Sequence, residues 1–344
     1  MKKVGLLTGG GDCPGLNAAI RAVVRKATSV NWEVLGIKNG WKGLIEGNVE
    51  PLTKYSVSGI LPKGGTILGT SRTNPFKDYE NTQKLLDNFK RYELNGIIAI
   101  GGEDTLGVAM RLYKEYSIPV IGIPKTIDND IAGTDLTFGF DTAVSIVTES
   151  IDRLHSTAES HHRIMVVEVM GRHAGWIATI SGIAGGADII LVPETPFDIN
   201  NVCNILTKRH EKGKHFSIVV VAEGATPKGS EIVITQSNKK DEFGHVRLGG
   251  IGSVLAQEIE KRTGIETRVT ILGYIQRGGT PTAFDRVLAT RYGVLAMELM
   301  AKGEVGKMVA LRGNKVIAID LDKDAVKPKT LDMELYKVAE LFFG

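Results

Sequence analysis

The sequence predicts an α/β protein organised around parallel sheets, and three observations carry that expectation. Short apolar runs of strand length alternate with longer runs of helical period along the chain. Several short runs, such as I-I-A-I at 97–100 and V-I-G-I at 120–123, are apolar throughout, which suits strands covered on both faces. These runs stop in loops rich in glycine or carboxylates, the setting in which ligands gather at the carboxyl ends of strands. Two such loops dominate, I-I-A-I-G-G-E-D-T from Ile97 to Thr105 and I-G-I-P-K-T-I-D-N-D from Ile121 to Asp130, and both are expected to open at one sheet edge.

Taken in order, Val4–Leu7 is the first strand and ends in T-G-G-G-D-C-P-G before an apolar-periodic helix from Leu16 to about Lys26. Glycines permit close backbone approach, and a helix N-terminus offers free N–H groups with partial positive charge, so this is a phosphate-loop layout. Gly9, Gly10, Gly11 and Gly15 match neither the dinucleotide fingerprint nor the P-loop spacing. A tight strand-to-helix turn explains the glycines equally well. The second glycine-rich stretch, Gly64–Asn74, holds Arg72, either a solvated arginine or an anion contact.

A helix over Asn81 to about Tyr92 and a strand over Gly96–Ile100 lead to the Gly101-Gly102 turn. That turn delivers Glu103, Asp104 and Thr105 to the start of another helix, where one carboxylate is ordinary capping chemistry and two are harder to explain that way. The strand Pro119–Ile123 feeds the segment 124–130. If that segment stays extended, Thr126, Asp128 and Asp130 share one side. A carboxylate near an attacking hydroxyl, a divalent cation on phosphate oxygens and nearby cations are what phosphoryl transfer requires. Farther on, Met170, Gly171 and Arg172 follow the strand Arg163–Val169, and Glu223 follows the strand Phe216–Ala222.

At 344 residues the chain exceeds the ~250–300 at which single cores stop growing, so two domains are expected. The net charge of +3 comes from charges spread along the chain, and Lys208–Lys214 reads as a solvated loop, so no nucleic-acid partner is expected. Cys13 and Cys203 cannot make a disulfide framework, and His161 and His162 lack zinc-ligand spacing. With no leader and no apolar run long enough for a bilayer, no membrane partner and a cytoplasmic location are expected.

The ordered set of motifs resembles the phosphofructokinase family over essentially the whole chain. G-G-G-D-C-P-G-L-N-A-A-I-R resembles its opening donor loop, L-G-T-S-R its arginine loop, G-G-E-D-T its donor and magnesium loop, and P-K-T-I-D-N-D its catalytic loop. R-I-M-V-V-E-V-M-G-R-H-A-G, A-E-G-A and E-T-R-V-T-I-L-G-Y-I-Q-R-G-G-T-P-T-A-F-D-R complete the set. The resemblance implies Asp128 as the base for the 1-hydroxyl of fructose 6-phosphate, with Thr126 and Asp130 holding the transferring phosphate and its Mg²⁺. Glu103 stands where the family usually has a magnesium-associated aspartate. Gly11, Gly102, Thr105 and Arg72 would meet the phosphoryl donor. Met170, Gly171, Arg172, Glu223, Tyr274 and Arg277 would bind the sugar phosphate, Tyr274 in place of a common histidine. Arg163 and Arg268 would reach in from a neighbouring subunit, implying a homotetramer or homodimer.

The same resemblance implies two Rossmann-like parallel-sheet domains with the active site in the cleft between them. The donor domain would take residues 1–139 plus 276–327, and the sugar-phosphate domain 140–275 plus 328–344. Relatives that use ATP typically have glycine at Asp104 and often at Lys125. A carboxylate and an ammonium there resemble the pyrophosphate-dependent members, so pyrophosphate is the expected donor, with Asp104 the stronger sign. ATP dependence is the alternative, and a non-catalytic phosphosugar sensor is a further one, disfavoured because Asp128 and the arginine cluster are present.

Overall fold

A computed structural model of the chain describes residues 1–229, 235–237 and 241–344. These residues form two compact units: 1–142, 241–245 and 277–328 in the first, and 143–240, 246–276 and 329–344 in the second. The first unit begins with β1 (Lys2–Thr8), α1 (Leu16–Ser29), β2 (Trp32–Ile37), α2 (Trp41–Glu46) and β3 (Val49–Leu52). It continues through α3 (Tyr79–Arg91), β4 (Gly96–Gly101), α4 (Glu103–Tyr116) and β5 (Val120–Pro124). After α5 (Phe140–His161), the second unit runs through β6 (Ile164–Val169), α6 (Trp176–Ala184), β7 (Ile189–Leu191), α7 (Ile199–Glu211) and β8 (Ser217–Ala222). A two-stranded antiparallel ribbon, β9 (Thr235–Ser237) with β10 (Arg247–Leu248), precedes α8 (Ile251–Thr263) and β11 (Thr267–Ile271). The chain then returns to the first unit with α9 (Ala283–Lys302), β12 (Lys307–Arg312), β13 (Lys315–Asp320) and α10 (Lys323–Val326), and α11 (Met333–Glu340) belongs to the second.

The first unit holds one seven-stranded sheet in the order β13-β12-β5-β4-β1-β2-β3. Its five inner strands are parallel, and β3 and β13 close the two edges antiparallel. β4 and β5 are buried at every residue, as their unbroken apolar sequences demand. The strand order reverses at β1, which lies between β4 and β2, so the carboxyl ends of β1 and β4 flank a topological switch point. Register aligns Thr8 with Ile100 and Gly101 with Pro124, so the loops after β1, β4 and β5 leave the sheet at nearly one level. α9 crosses α1 so closely that a Cβ on Gly293 would stand 2.8 Å from Cβ of Ala22.

The second unit holds an all-parallel sheet, β11-β6-β8-β7, whose order reverses between β6 and β8. Both strands are wholly buried, and Val169 pairs with Ala222, which brings the loops after β6 and β8 side by side. Together the two sheets are the two Rossmann-like parallel-sheet arrangements expected of the chain.

Two local expectations are corrected. The sequence assigned 241–245 to the second domain, but this turn packs with the first unit because its carboxylates and histidine pair with side chains and backbone there. Lys208–Lys214 is not a loop throughout. Residues 208–211 are the last turn of α7, and Arg209 turns inward to Asp188 at 2.7 Å. Among the described residues, no helix is long and apolar enough to cross a membrane.

Candidate active site

In the first unit, the loop after β1 is held by three neighbouring segments. Gly9 donates its N–H to the Ile100 carbonyl at 2.9 Å, and Gly10 donates to Ser71 at 3.0 Å. The Thr70 hydroxyl donates to the Gly10 carbonyl at 2.6 Å, and the Lys125 ammonium donates to the Gly11 carbonyl. Glycine is required at specific points of this loop. Gly10 has φ 77°, a Cβ on Gly9 would stand 2.8 Å from Cγ2 of Thr105, and one on Gly11 would overlap the Arg277 guanidinium. These contacts are what the tight-turn reading of the glycines requires. The loop feeds α1 through Gly15, which offers no side-chain cap, so the first N–H groups of α1 are left to other partners.

Thr105 is buried and wedged against Gly9 and Gly101, so it supports the loop through packing. Gly102, Glu103 and Asp104 are half-buried at the start of α4, and the Lys125 N–H bonds to the Gly101 carbonyl at 3.0 Å, joining the ends of β4 and β5. Lys125 is only 3% exposed. Burial, with the nearby Arg277 charge adding to it, holds its ammonium pKa below the ordinary lysine value, against opposing pulls from Cys13, Asp12 and Asp128. Cys13 beside it is fully buried and its thiol is pushed up to about 12, chiefly by that burial, which makes it an inert core residue.

The segment after Lys125 is not extended. The Thr126 hydroxyl accepts the Asp128 N–H at 3.0 Å, and Asn129 takes φ 51°, so the chain turns here. The expected alternation of Thr126, Asp128 and Asp130 along one side is therefore corrected. A local hydroxyl-to-backbone turn competes with the extended form and wins. Thr137 braces the turn from the far side, donating its hydroxyl to the Thr126 carbonyl at 2.8 Å and its N–H to the Asn129 side chain at 3.2 Å. Asp128 is 3% exposed, and its Oδ1 is buried without a hydrogen-bond partner. A buried carboxylate oxygen with spare accepting capacity suits a group that receives a proton.

Arg277 belongs to this unit and donates to the Asp12 carbonyl at 3.3 Å, beside the glycine loop. Arg72 is half-exposed and bound to Asp241 at 2.9 Å. The sequence reading did not single out this partner, nor two of its neighbours. Glu242 accepts the Asn74 N–H at 2.8 Å, and His245 Nε2 lies 3.1 and 3.2 Å from the two carboxylate oxygens of Asp104. The D-E-F-G-H sequence signals a turn, but nothing in it signals where the turn docks.

In the second unit, Met170, Gly171 and Arg172 follow β6, with Gly171 at φ 141° and Arg172 at φ 53°. A left-handed arginine costs roughly 1–2 kcal/mol and persists only where its surroundings hold it. Here the Arg172 N–H donates to the Glu223 carboxylate at 3.2 Å, so the residue that follows β8 pins the strained one. Two positioning residues had no local signal. Gln276 is fully buried and accepts the Met170 N–H at 3.2 Å, and Glu194 accepts the Gly175 N–H at 3.0 Å. Tyr274 is exposed. Arg163 and Arg268 meet on one carboxylate: Arg163 lies 2.8 Å from Glu266, and Arg268 donates to the same group.

The backbone of Gly224 is part of this construction, because a Cβ there would overlap the Arg172 carbonyl oxygen and stand 3.1 Å from its carbon. Gly224→Ala is expected to destabilise the protein by about 1–3 kcal/mol through overpacking against a rigid main chain. A denaturation midpoint equal to that of the parent protein would refute this.

Among the described residues, no three His, Cys, Asp or Glu side chains gather as a metal cage. Glu103 opens α4 and Asp130 lies in the segment after β5; as hard oxygen donors, one or two carboxylates with phosphate oxygens are the ligand type that Mg²⁺ takes.

The phosphofructokinase family model matches residues 3–300. Over 343 residues the chain is 55% identical to a Streptomyces coelicolor protein named pyrophosphate–fructose 6-phosphate 1-phosphotransferase, covering 99% of this chain and 100% of that one. It is also 50% identical, over 339 residues, to ATP-dependent 6-phosphofructokinase 3 of the same organism, covering 98% of this chain and 99% of that one. Among solved structures, phosphofructokinase of Pichia pastoris in the T-state matches with a TM-score of 0.83 at 32% identity, covering 99% of this chain and 38% of that one.

Proposed function

Since this chain belongs to the phosphofructokinase family, we propose that it transfers a phosphoryl group from pyrophosphate to the 1-hydroxyl of fructose 6-phosphate, reversibly giving fructose 1,6-bisphosphate and phosphate. One observation carries the choice of donor. The loops after β4 and β5 bear side chains, Asp104 and Lys125, and the Lys125 ammonium reaches the Gly11 carbonyl of the first glycine turn. Both take up room that a nucleotide would need, and the buried cation suits a compact donor of high charge.

In this reading Asp128 accepts the proton of the 1-hydroxyl as its oxygen attacks the terminal phosphorus of pyrophosphate. The bond from that phosphorus to the bridging oxygen breaks, and phosphate leaves. Lys125, Arg72 and the backbone of Gly11 meet the charge that develops on the transferring group, and Thr126 helps orient it. Mg²⁺, held by Glu103 and Asp130, would neutralise phosphate oxygens. The sugar phosphate is assigned to Met170, Gly171, Arg172, Glu223, Tyr274 and Arg277. The held Arg172 N–H on Glu223 supports that assignment, since it fixes the carboxylate near the sugar-binding loop. Arg163 and Arg268 would complete the site of a neighbouring copy in a homodimer or homotetramer. Their shared position on Glu266, beside the edge strand β11 with Val269 and Ile271 exposed, supports an interface there.

With Mg²⁺ and fructose 6-phosphate, kcat/KM for pyrophosphate is expected to exceed that for ATP by more than about tenfold, or ~1.4 kcal/mol of differential transition-state binding. Equal or better turnover with ATP would assign the chain instead as an ATP-dependent 6-phosphofructokinase, the reading favoured by the 50%-identical relative of that name.

A further inference from the structure

The turn at 241–245 is fastened to the first unit at four points. Asp241 Oδ1 accepts the N–H groups of Phe243 and His245, each at 3.0 Å, which closes the turn on itself and leaves Oδ2 for Arg72 at 2.9 Å. Burial raises the Asp241 carboxyl, but the two N–H groups and Arg72 outweigh it and hold the carboxyl below the ordinary aspartate value. Glu242 holds the backbone of Asn74, and Phe243 packs against the core of the first unit. What remains for His245 is the Asp104 carboxylate, reached by one ring nitrogen at 3.1 and 3.2 Å.

We propose that His245 is a donor-selecting residue that acts through Asp104, holding its carboxylate in the place that a donor longer than pyrophosphate would need. This rests on the pyrophosphate reading above. An aspartate in the first turn of a helix has freedom about χ1 and, beside an anionic donor, would turn toward solvent. An N–H shared by both oxygens removes that freedom and holds the carboxylate where it stands. Because the same short turn also holds Arg72, the positions of a donor-side cation and a donor-side anion are set together. In this role His245 acts on Asp104 and not on the donor or the sugar, so it is a positioning residue.

The test compares kcat/KM for pyrophosphate and for ATP in the parent protein, His245→Ala, His245→Gln, Asp104→Gly and the double variant Asp104→Gly/His245→Ala. His245→Ala is expected to raise the ATP-to-pyrophosphate ratio about tenfold, the scale of one hydrogen bond to a charged group. It should leave the KM for fructose 6-phosphate unchanged. His245→Gln, which keeps an N–H of similar reach, should restore most of the parent ratio, and in the Asp104→Gly background His245→Ala should change nothing. An unchanged ratio in His245→Ala, or an equal change with and without Asp104, overturns the inference. A parent protein that prefers ATP overturns the pyrophosphate reading itself, a separate result read from the unmutated enzyme. If His245→Ala melts below the parent, His245→Asn, polar but too short to reach, replaces it with the same expected ratio.

Discussion

Asp128→Ser is expected to slow phosphoryl transfer from either donor by about 10²–10⁴-fold, the usual contribution of a positioned general base. Binding of fructose 6-phosphate should be essentially unchanged. The separation follows from how the residue is held. Its N–H, not its carboxylate, makes the bond to the Thr126 hydroxyl that turns the loop, and Thr137 braces that loop through the Thr126 carbonyl. Serine keeps the backbone donor and fills part of the same space, so the turn survives while the accepting oxygen is lost. The spare Oδ1 is buried and bonded to nothing, so its removal breaks no hydrogen bond of the resting protein. The measurements are kcat with each donor and the equilibrium Kd of the sugar phosphate. Binding lost in step with rate would show that Asp128 holds the substrate rather than its proton.

Asp104→Gly should move the donor preference toward ATP. A carboxylate ~4 Å from a phosphate charge is opposed by up to ~4 kcal/mol at an effective dielectric near 20, which bounds the gain in the ATP-to-pyrophosphate ratio at about 10³-fold. The shift should fall below that ceiling because the Lys125 ammonium, which offsets part of the repulsion, remains. Glycine in the first turn of α4 also costs up to ~1 kcal/mol of stability. The ratio of kcat/KM values, taken well below the melting temperature, separates selection from stability. A ratio that stays fixed would remove Asp104 from donor choice.

Much of the fold was legible because its determinants are local. The short apolar runs of β4 and β5, each ending in a glycine or proline, suit covered strands, and the glycines after β1 mark the turn into α1. The turn at 124–130 was not legible because periodicity says nothing of a hydroxyl that captures a backbone N–H two residues on, nor of an asparagine placed at positive φ. The least legible contacts join residues far apart in sequence. His245 meets Asp104 across 141 positions, Asp241 meets Arg72 across 169, and Gln276 meets Met170 across 106. A histidine or glutamine carries no local mark of such a partner, whereas an arginine loop or a carboxylate pair after a strand marks itself through its setting.

The first unit is discontinuous, and this sets an order for biosynthesis. β12 lies between β5 and β13, and α9 covers α1 so tightly that Gly293 has no room for a side chain. A ribosome releases β1 to β5 and α1 long before it makes either partner. Until then the nascent chain carries an unpaired β5 edge and a bare apolar helix face, surfaces that invite wrong pairing. The segment that closes this sheet is thus translated only after β6 to β11 of the second unit. A truncated product ending before it would hold every glycine of the first loop yet lack the strand and helix that complete its sheet.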